Sequence, residues 1–284
     1  MAVSIILPAH NEAEALGPLL RRIKAVIDDA EIIVVNDGSD DDTASVAEAT
    51  GARVINHPYS LGNGAAIKAG ARAAVGDVLV FLDADGQHNP VDIPRLLAGL
   101  EGGYDMVVGA RGARSQASMS RMMANALYNW LASIITGHRV ADLTSGLRAV
   151  RAQRFRRFLY LLPNGFSYPA TITMAFFRSG YPVAYVPIEA SIRSGRSHIR
   201  PLSDGVRFLL ILFKIATLYS PLKIFFPVSA SFFLLGWGYY LYTYLSFARF
   251  SNMTAMLLSA SVLVFMMGLV SEQITALYYR DSDG

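Results

Sequence analysis

Two uncharged stretches near the C-terminus constrain this chain more than any other feature. Between Lys223 and Arg249 stand 25 consecutive residues without a charge, and between Arg249 and Glu272 another 22. At a helical rise of about 1.5 Å per residue, each stretch reaches roughly 30 Å or more, the thickness of a bilayer's hydrocarbon core. Two membrane-spanning helices over residues 223–284 are therefore expected, and a freely soluble protein is excluded. Tyr239, Tyr240, Tyr242 and Tyr244 gather at the far end of the first stretch, and Tyr278 and Tyr279 at the return of the second, as interfacial aromatic belts do. Small residues at Ser229, Ser231, Gly236 and Gly238 offer surfaces for packing helices or the protomers of a homo-oligomer. Glu272, beside Gln273 in the second stretch, lies close enough to the membrane edge to snorkel or to pair with Lys223 or Arg280.

The rest of the chain is large enough for one ordinary domain, and its charge is divided. Residues 1–110 carry 7 basic against 16 acidic side chains, whereas residues 111–223 carry 16 against 3. An acidic half suits a metal ion; a basic half that leads directly into membrane spans suits anions or anionic lipid. Nucleic acid is set aside as a partner on the same ground. Orientation follows from the same residues. Arg193, Arg196, Arg200, Arg207, Lys214 and Lys223 precede the first span, and the connecting turn holds only Arg249, which places both termini on the cytoplasmic side. The first apolar run, Val3 to Leu7, is short and closes at Pro8 without a basic leader, unlike a secretory signal. With no cysteine in the chain, disulfides, thiol catalysis and cysteine metal sites are excluded.

Short β-branched runs alternate with helical patterns through the first 110 residues. The patterns predict strands at Val3–Pro8, Glu31–Asn36, Arg53–Asn56, Val78–Leu82 and Met106–Gly109, with helices near Glu12–Asp28, Asp42–Thr50, Gly64–Ala74 and Val91–Leu100. Such alternation implies βαβ crossovers and a mostly parallel sheet covered on both faces, with ligands beyond the carboxyl ends of the strands. Further on, helices are expected over Met119–Thr136, Arg151–Leu161 and Ala170–Ser179, and a strand at Val183–Pro187. In the largely apolar segment from Ser203 to Tyr219, Ser203, Arg207, Lys214 and Thr217 share one face, which predicts an interfacial amphipathic helix within residues 201–222.

The polar clusters fall where that architecture binds ligands. Asp83, Asp85 and Gln87 alternate at the end of a hydrophobic strand, so three oxygen donors can converge. Oxygen-only ligands suit Mg²⁺ or Mn²⁺, which take one or two carboxylates and complete their shell with phosphate and water. Asp37 follows the second strand directly, in position to accept hydrogen bonds from a nucleobase; the acidic run after it also reads as ordinary helix capping. His57 and His88 sit at strand or loop ends nearby, as donor contacts or as hydrogen-bonded scaffold.

Five segments, in order, carry a resemblance: Pro8-Ala9-His10-Asn11-Glu12, Asn36 to Thr43, Gly62-Asn63-Gly64-Ala65-Ala66, Asp83-Ala84-Asp85-Gly86-Gln87-His88, and Asp142-Leu143-Thr144-Ser145-Gly146-Leu147-Arg148. Residues 1–200 resemble family 2 glycosyltransferases of the GT-A fold, specifically the branch of dolichyl-phosphate mannose synthases and other polyprenyl-phosphate glycosyltransferases. Gly86 stands where many relatives have Leu, and His198 where a Lys often follows Gly-x-Ser.

The resemblance implies that Pro8, Ala9, Glu12 and Asp37 hold the donor nucleoside, and that Asp85 and Gln87, with Asp83 in or beside the shell, hold Mg²⁺ or Mn²⁺ on its diphosphate. Arg111, Arg121 and Asn125 would hold the acceptor phosphate, the last two being one helical turn apart. Arg193 and Arg196 would close over the donor. The implied reaction moves one sugar from a nucleotide diphosphate sugar to a polyprenyl monophosphate, with inversion, on the cytoplasmic membrane face. Transfer to a glycolipid hydroxyl and a non-catalytic nucleotide-sugar-binding scaffold stand as alternatives. A processive polysaccharide synthase would carry Gln-x-x-Arg-Trp, and neither tryptophan here lies in that setting.

Overall fold

The structure is a computed structural model that describes residues 1–112, 119–165, 167–189, 213, 217 and 219–280, with side chains except at 119–121, 124, 278 and 280. It divides into two compact units, Met1–Ile199 and Arg200–Gly284.

In the first unit the strands are β1 (Val3–Ala9), β2 (Glu31–Asn36), β3 (Arg53–Asn56), β4 (Val78–Phe81), β5 (Met106–Arg111), β6 (Arg148–Arg151) and β7 (Val183–Ile188). The helices are α1 (Ala13–Val26), α2 (Thr43–Ala49), α3 (Asn63–Ala73), α4 (Ile93–Glu101), α5 (Met119–Thr136), α6 (Ala152–Arg156) and α7 (Tyr168–Arg178). They build one seven-stranded sheet in the order β3-β2-β1-β4-β6-β5-β7. All neighbouring pairs are parallel except the two that β6 makes, with β4 and with β5.

The apolar runs dictate a three-layer unit. β1 is buried on both faces, as a strand inside a parallel sheet must be. Ile5, Leu7 and Ala9 pack into one cluster with Leu16, Leu19, Leu20 and Ile23 of α1 and Ile93, Leu96 and Leu100 of α4. Ile6 faces the opposite layer, where Gly70 of α3 sits so close that a Cβ there would come within 2.4 Å of the Ile6 side chain. That layer continues with Phe81, whose ring lies 4.6 Å from Phe155 and 6.3 Å from Tyr168. Each fully buried aliphatic or aromatic side chain contributes about 1.5–3 kcal/mol on transfer from water.

The expected elements form with small shifts at their ends, and one region differs. Arg148–Arg151 is a strand, and the helix expected over Arg151–Leu161 shrinks to the short α6 followed by turns. Four residues with an arginine at each end, Arg148 and Arg151, carry no strand signal of their own. They become a strand because β4 and β5 offer two edges between them.

In the second unit, α8 (Leu222–Phe247) and α9 (Asn252–Arg280) form an antiparallel hairpin, both long and apolar enough to cross a membrane. α8 ends where Ala248 turns into the left-handed region (φ 48°) and its N–H donates to the Tyr244 carbonyl at 2.8 Å. Of Ser229, Ser231, Gly236 and Gly238 on α8, the hairpin uses Ser229 and Gly236 internally, whereas Ser231 is exposed and Gly238 faces open space. Ser229 and Ser261 each donate a hydroxyl hydrogen bond to the other's carbonyl, at 2.9 and 3.0 Å. Gly236 lies against Leu257 and Leu258, and Gly268 against Phe225. Glu272 does not end the second helix; its Oε2 accepts the Leu222 N–H at 3.2 Å, satisfying a backbone donor in the first turn of α8. Of the predicted interfacial helix only Phe213, Thr217 and Tyr219 are among the described residues, and Arg193, Arg196, Arg207 and Lys214 lie outside them.

Candidate active site

The chain runs from β1 outward to β2 and β3, then returns to β4 on the other side of β1. This reversal opens a crevice at the carboxyl ends of β1 and β4, the place where open α/β sheets bind ligands. Pro8 and Ala9 end β1, Asn36 ends β2, Phe81 ends β4 and Arg111 ends β5. Because β6 runs the other way, with Arg148 paired to Phe81 and to Val108, the loop that precedes it arrives at this same edge. Asp142 to Leu147 is thereby delivered between the residues that follow β4 and the end of β5.

On the β1 and β2 side the loops are laced together. His10 Nδ1 donates to the Asp37 carbonyl (2.8 Å), the Asn11 N–H to Ser39 Oγ (3.0 Å), the Glu12 N–H to Thr43 Oγ1 (3.0 Å) and the Ala13 N–H to Asp41 Oδ2 (3.1 Å). The acidic run after β2 thus caps α1 as well as α2, since Asp41 Oδ1 also accepts the Thr43 N–H.

Asp37 itself is buried and committed to its own protein. Oδ1 accepts from His57 Nδ1 (2.7 Å) and the Leu61 N–H (2.9 Å), and Oδ2 accepts from Ser60 Oγ (2.8 Å) and the Gly62 N–H (2.8 Å). Burial alone would raise its pKa, but the His57 bond and the loop N–H groups outweigh it and hold the carboxyl below the usual range. These four bonds use the lone-pair directions of a carboxylate. Asp37 therefore organises the β3–α3 loop, and His57 serves as its scaffold partner.

The glycine segment after that loop is a docking cradle. Gly64 and Ala65 donate their N–H groups to the carbonyls of Gly165 (3.2 Å) and Asn164 (2.9 Å), which fills the N-terminus of α3. A Cβ on Gly64 would lie 2.0 Å from the Pro163 carbonyl oxygen, so only glycine admits that approach.

At the end of β4, the Asp85 carboxylate accepts the Gln87 N–H at 3.1 Å across a turn in which Gly86 takes φ 71°. The Asp83 carboxylate is a third exposed and rests on the Cα of Gly146, where a Cβ would meet Oδ2 at 2.0 Å. His88 is buried, with Nε2 3.8 Å from Asp83 Oδ2. Burial, aided by the Arg111 charge, pushes its pKa down to about 4, so the ring is neutral at physiological pH. Among the described residues no cluster of three or more His, Asp or Glu side chains forms a metal cage. Asp83, Asp85 and Gln87 offer two carboxylates and an amide oxygen within five residues, a donor set that could take Mg²⁺ or Mn²⁺, which keep most positions for phosphate and water.

Arg111 is gripped from the β6 side. Its Nε and Nη2 make a bidentate pair with Asp142 (2.8 and 3.0 Å), and Nη2 also donates to Thr144 Oγ1 (2.7 Å). Burial would raise the Asp142 pKa, but the Arg111 bonds and charge dominate and keep it low. Asn129 of α5 brackets Asp142, donating to the Ala141 carbonyl (2.7 Å) and accepting the Leu143 N–H (2.9 Å). Asn125 lies one turn earlier on α5, and the Arg121 side chain is outside the described set. The structure therefore brings Pro8, Ala9, Glu12, Asp37, Asp83, Asp85, Gln87 and Arg111 to one edge of the sheet. Asn129, Asp142, Thr144 and Gly146, to which sequence reasoning gave no individual role, hold part of that set in place.

Comparison with known proteins identifies the family. Residues 4–161 match the model of Glycosyl transferase family 2, and residues 220–277 that of the GtrB C-terminal hairpin. A dolichyl-phosphate hexose transferase of Haloferax volcanii is 32% identical over 205 residues, covering 72% of this chain and 89% of that one. An undecaprenyl-phosphate 4-deoxy-4-formamido-L-arabinose transferase of Proteus mirabilis is 38% identical over 159 residues, and the chain spans only 48% of its length. Among solved structures, glucosyl-3-phosphoglycerate synthase from Mycobacterium tuberculosis in complex with Mn²⁺ and UDP-glucose matches with TM-score 0.59 and 25% identity, covering 76% of this chain and 79% of that one. The chain is a glycosyltransferase of family 2 with a GT-A domain and a C-terminal hairpin of two apolar helices.

Proposed function

We propose that the protein transfers a single hexose-type sugar from a nucleotide diphosphate sugar to a polyprenyl monophosphate, with inversion, at the cytoplasmic face of a membrane. The observation that carries the lipid acceptor is an exposed apolar stripe on α5. Met123, Leu127, Trp130 and Ile134 recur 4, 3 and 4 residues apart and are 67%, 48%, 58% and 54% exposed. Between Gly112 and Val140 the sequence holds Arg114, Arg121 and Arg139 and no acidic residue, the complement of an anionic lipid surface. A helix of this kind lies in the interfacial plane with its apolar face among acyl chains. The acceptor names of the relatives, dolichyl and undecaprenyl phosphate, agree.

Each residue then has a task. Pro8, Ala9, Glu12 and the loop that Asp37 organises hold the donor nucleoside. Asp85 and Gln87, with Asp83 beside them, hold Mg²⁺ or Mn²⁺, which would offset charge on the leaving diphosphate; Arg193 and Arg196 add cationic cover. Arg111, Arg121 and Asn125 receive the acceptor phosphate: Arg111, whose Nε and Nη2 are held by Asp142 and Thr144, offers Nη1 and its charge, and Arg121 a guanidinium fork, which together lessen the repulsion between two anionic substrates. A phosphate monoester is already ionised at neutral pH, so attack on the anomeric carbon needs no protein base.

The stripe supplies a test. Leu127→Ser with Trp130→Ser is expected to raise KM for a long polyprenyl phosphate in anionic vesicles at least about tenfold, since two interfacial anchors are lost. kcat, and KM for a short water-soluble prenyl phosphate, should stay near wild type. Equal losses for both acceptors would remove the stripe from the account.

A further inference from the structure

One arginine of the GT-A unit is wholly buried, and its recorded partners are not carboxylates. Arg148 opens β6 with 0% exposure. Its Nη1 donates to the Pro169 carbonyl (3.0 Å) and to Thr173 Oγ1 (3.3 Å) on α7, and its Nη2 donates to the Ser145 carbonyl (2.5 Å). The guanidinium carbon lies 5.6 Å from the centroid of the Tyr168 ring. Among the described residues no ion pair includes it. A cation buried in this way is costly, and an aliphatic side chain would fill the same space without that cost. What an aliphatic side chain lacks is the three-point grip of the guanidinium on Ser145 and α7.

Ser145 belongs to the short loop that touches both halves of the site. Three residues and one residue before it, Asp142 and Thr144 hold Arg111. One residue after it, Gly146 supplies the surface on which Asp83 rests. In the sheet, Arg148 stands between Phe81, two residues before Asp83, and Val108, three before Arg111. A shift of the Ser145 carbonyl would move the Asp83 support and the Arg111 clamp together.

We infer that Arg148 is a positioning residue which, through the Ser145 carbonyl, fixes the Asp142–Gly146 loop and so sets Asp83 and Arg111 relative to one another. The inference rests on the metal and donor roles proposed above. Residues behind the ligands of a metal commonly tune its affinity by 10–100-fold, so metal affinity reports the role more directly than stability does.

The test uses the full-length protein in detergent, with Mn²⁺ as probe in the presence of UDP or GDP and the free Mn²⁺ signal followed by electron paramagnetic resonance. Arg148→Lys keeps the charge but not the fork, and Thr173→Val removes one acceptor of Nη1 in an isosteric side chain. The Mn²⁺ concentration for half-occupancy is expected to rise about tenfold in Arg148→Lys and about threefold in Thr173→Val. Phe158→Leu, a core change beside Phe176 and Tyr181, serves as the stability control and should leave it unchanged. Wild-type Mn²⁺ affinity in a folded Arg148→Lys overturns the inference. Should that variant not fold, wild-type affinity in Thr173→Val overturns it instead. A shift in Phe158→Leu as large as that in Arg148→Lys also overturns it, because general loosening would then suffice. Absence of Mn²⁺ binding by the wild type with either nucleotide strikes the functional reading itself.

Discussion

Asp85→Ala is expected to abolish sugar transfer, lowering kcat by at least about a hundredfold at saturating donor and lipid. Loss of the main carboxylate at a divalent ion removes stabilisation of charge on the leaving diphosphate, a contribution of this order or larger in related chemistry. The alanine also removes the acceptor of the Gln87 N–H bond, which closes the turn after β4. Asp85→Asn separates the two effects, since an amide oxygen can still accept that bond but carries no charge. Both variants should be equally inactive if charge is the cause. Gln87→Ala should cost much less, because water can replace a neutral ligand. The measurement is initial rate against Mn²⁺ concentration for each variant, and full activity of Asp85→Ala at low Mn²⁺ would remove the metal assignment.

Gly146→Ala is the second large effect, and it arises from a residue with no chemistry of its own. Its Cβ would lie 2.0 Å from Asp83 Oδ2 and 2.6 Å from Cγ, well inside contact distance, so the carboxylate or the loop must move by an ångström or so. A displacement of that size in a catalytic group can cost about a hundredfold in rate. Because the same loop holds Arg111 through Asp142 and Thr144, the loss should appear in kcat and in the Mn²⁺ requirement together. Near-ultraviolet circular dichroism should remain that of the wild type, since the clash falls on the Asp83 carboxylate, which is a third exposed, and on no aromatic side chain. A folded Gly146→Ala enzyme with unchanged kcat and Mn²⁺ dependence would show that Asp83 does not need this support.

How far the sequence foretold this arrangement depends on the range of the interactions. β1 to β5 were legible because their apolar runs are local and turn signals bound them, and the hairpin because 25 and 22 uncharged residues leave few alternatives. β6 was not. Arg148-Ala149-Val150-Arg151 carries no apolar pattern strong enough to mark a strand, and its pairing with β4 and β5 is a property of the assembled sheet. That one omission hid the reason for the Asp142 to Arg148 segment, whose residues were recognisable together but had no place in a sheet without an antiparallel strand. Asp37 shows the converse case. Its position after β2 pointed to a ligand contact, and its four internal hydrogen bonds come from His57 and a loop 23 to 25 residues away, which no local pattern reveals. Asn129 is similar: a polar residue on a helix gave no sign that it would bracket Asp142 from 12 and 14 residues away.

The identity of the acceptor decides the reaction. The most direct measurement incubates the purified full-length protein in detergent with Mn²⁺, a short polyprenyl phosphate and a panel of UDP- and GDP-hexoses, and identifies the lipid product by mass spectrometry. The account predicts a new species equal in mass to the lipid phosphate plus one hexose residue, formed with one donor of the panel, dependent on Mn²⁺ or Mg²⁺ and absent with Asp85→Ala. Transfer only to a hydroxyl-bearing glycolipid, with the polyprenyl phosphate recovered unchanged beside every donor, would contradict it.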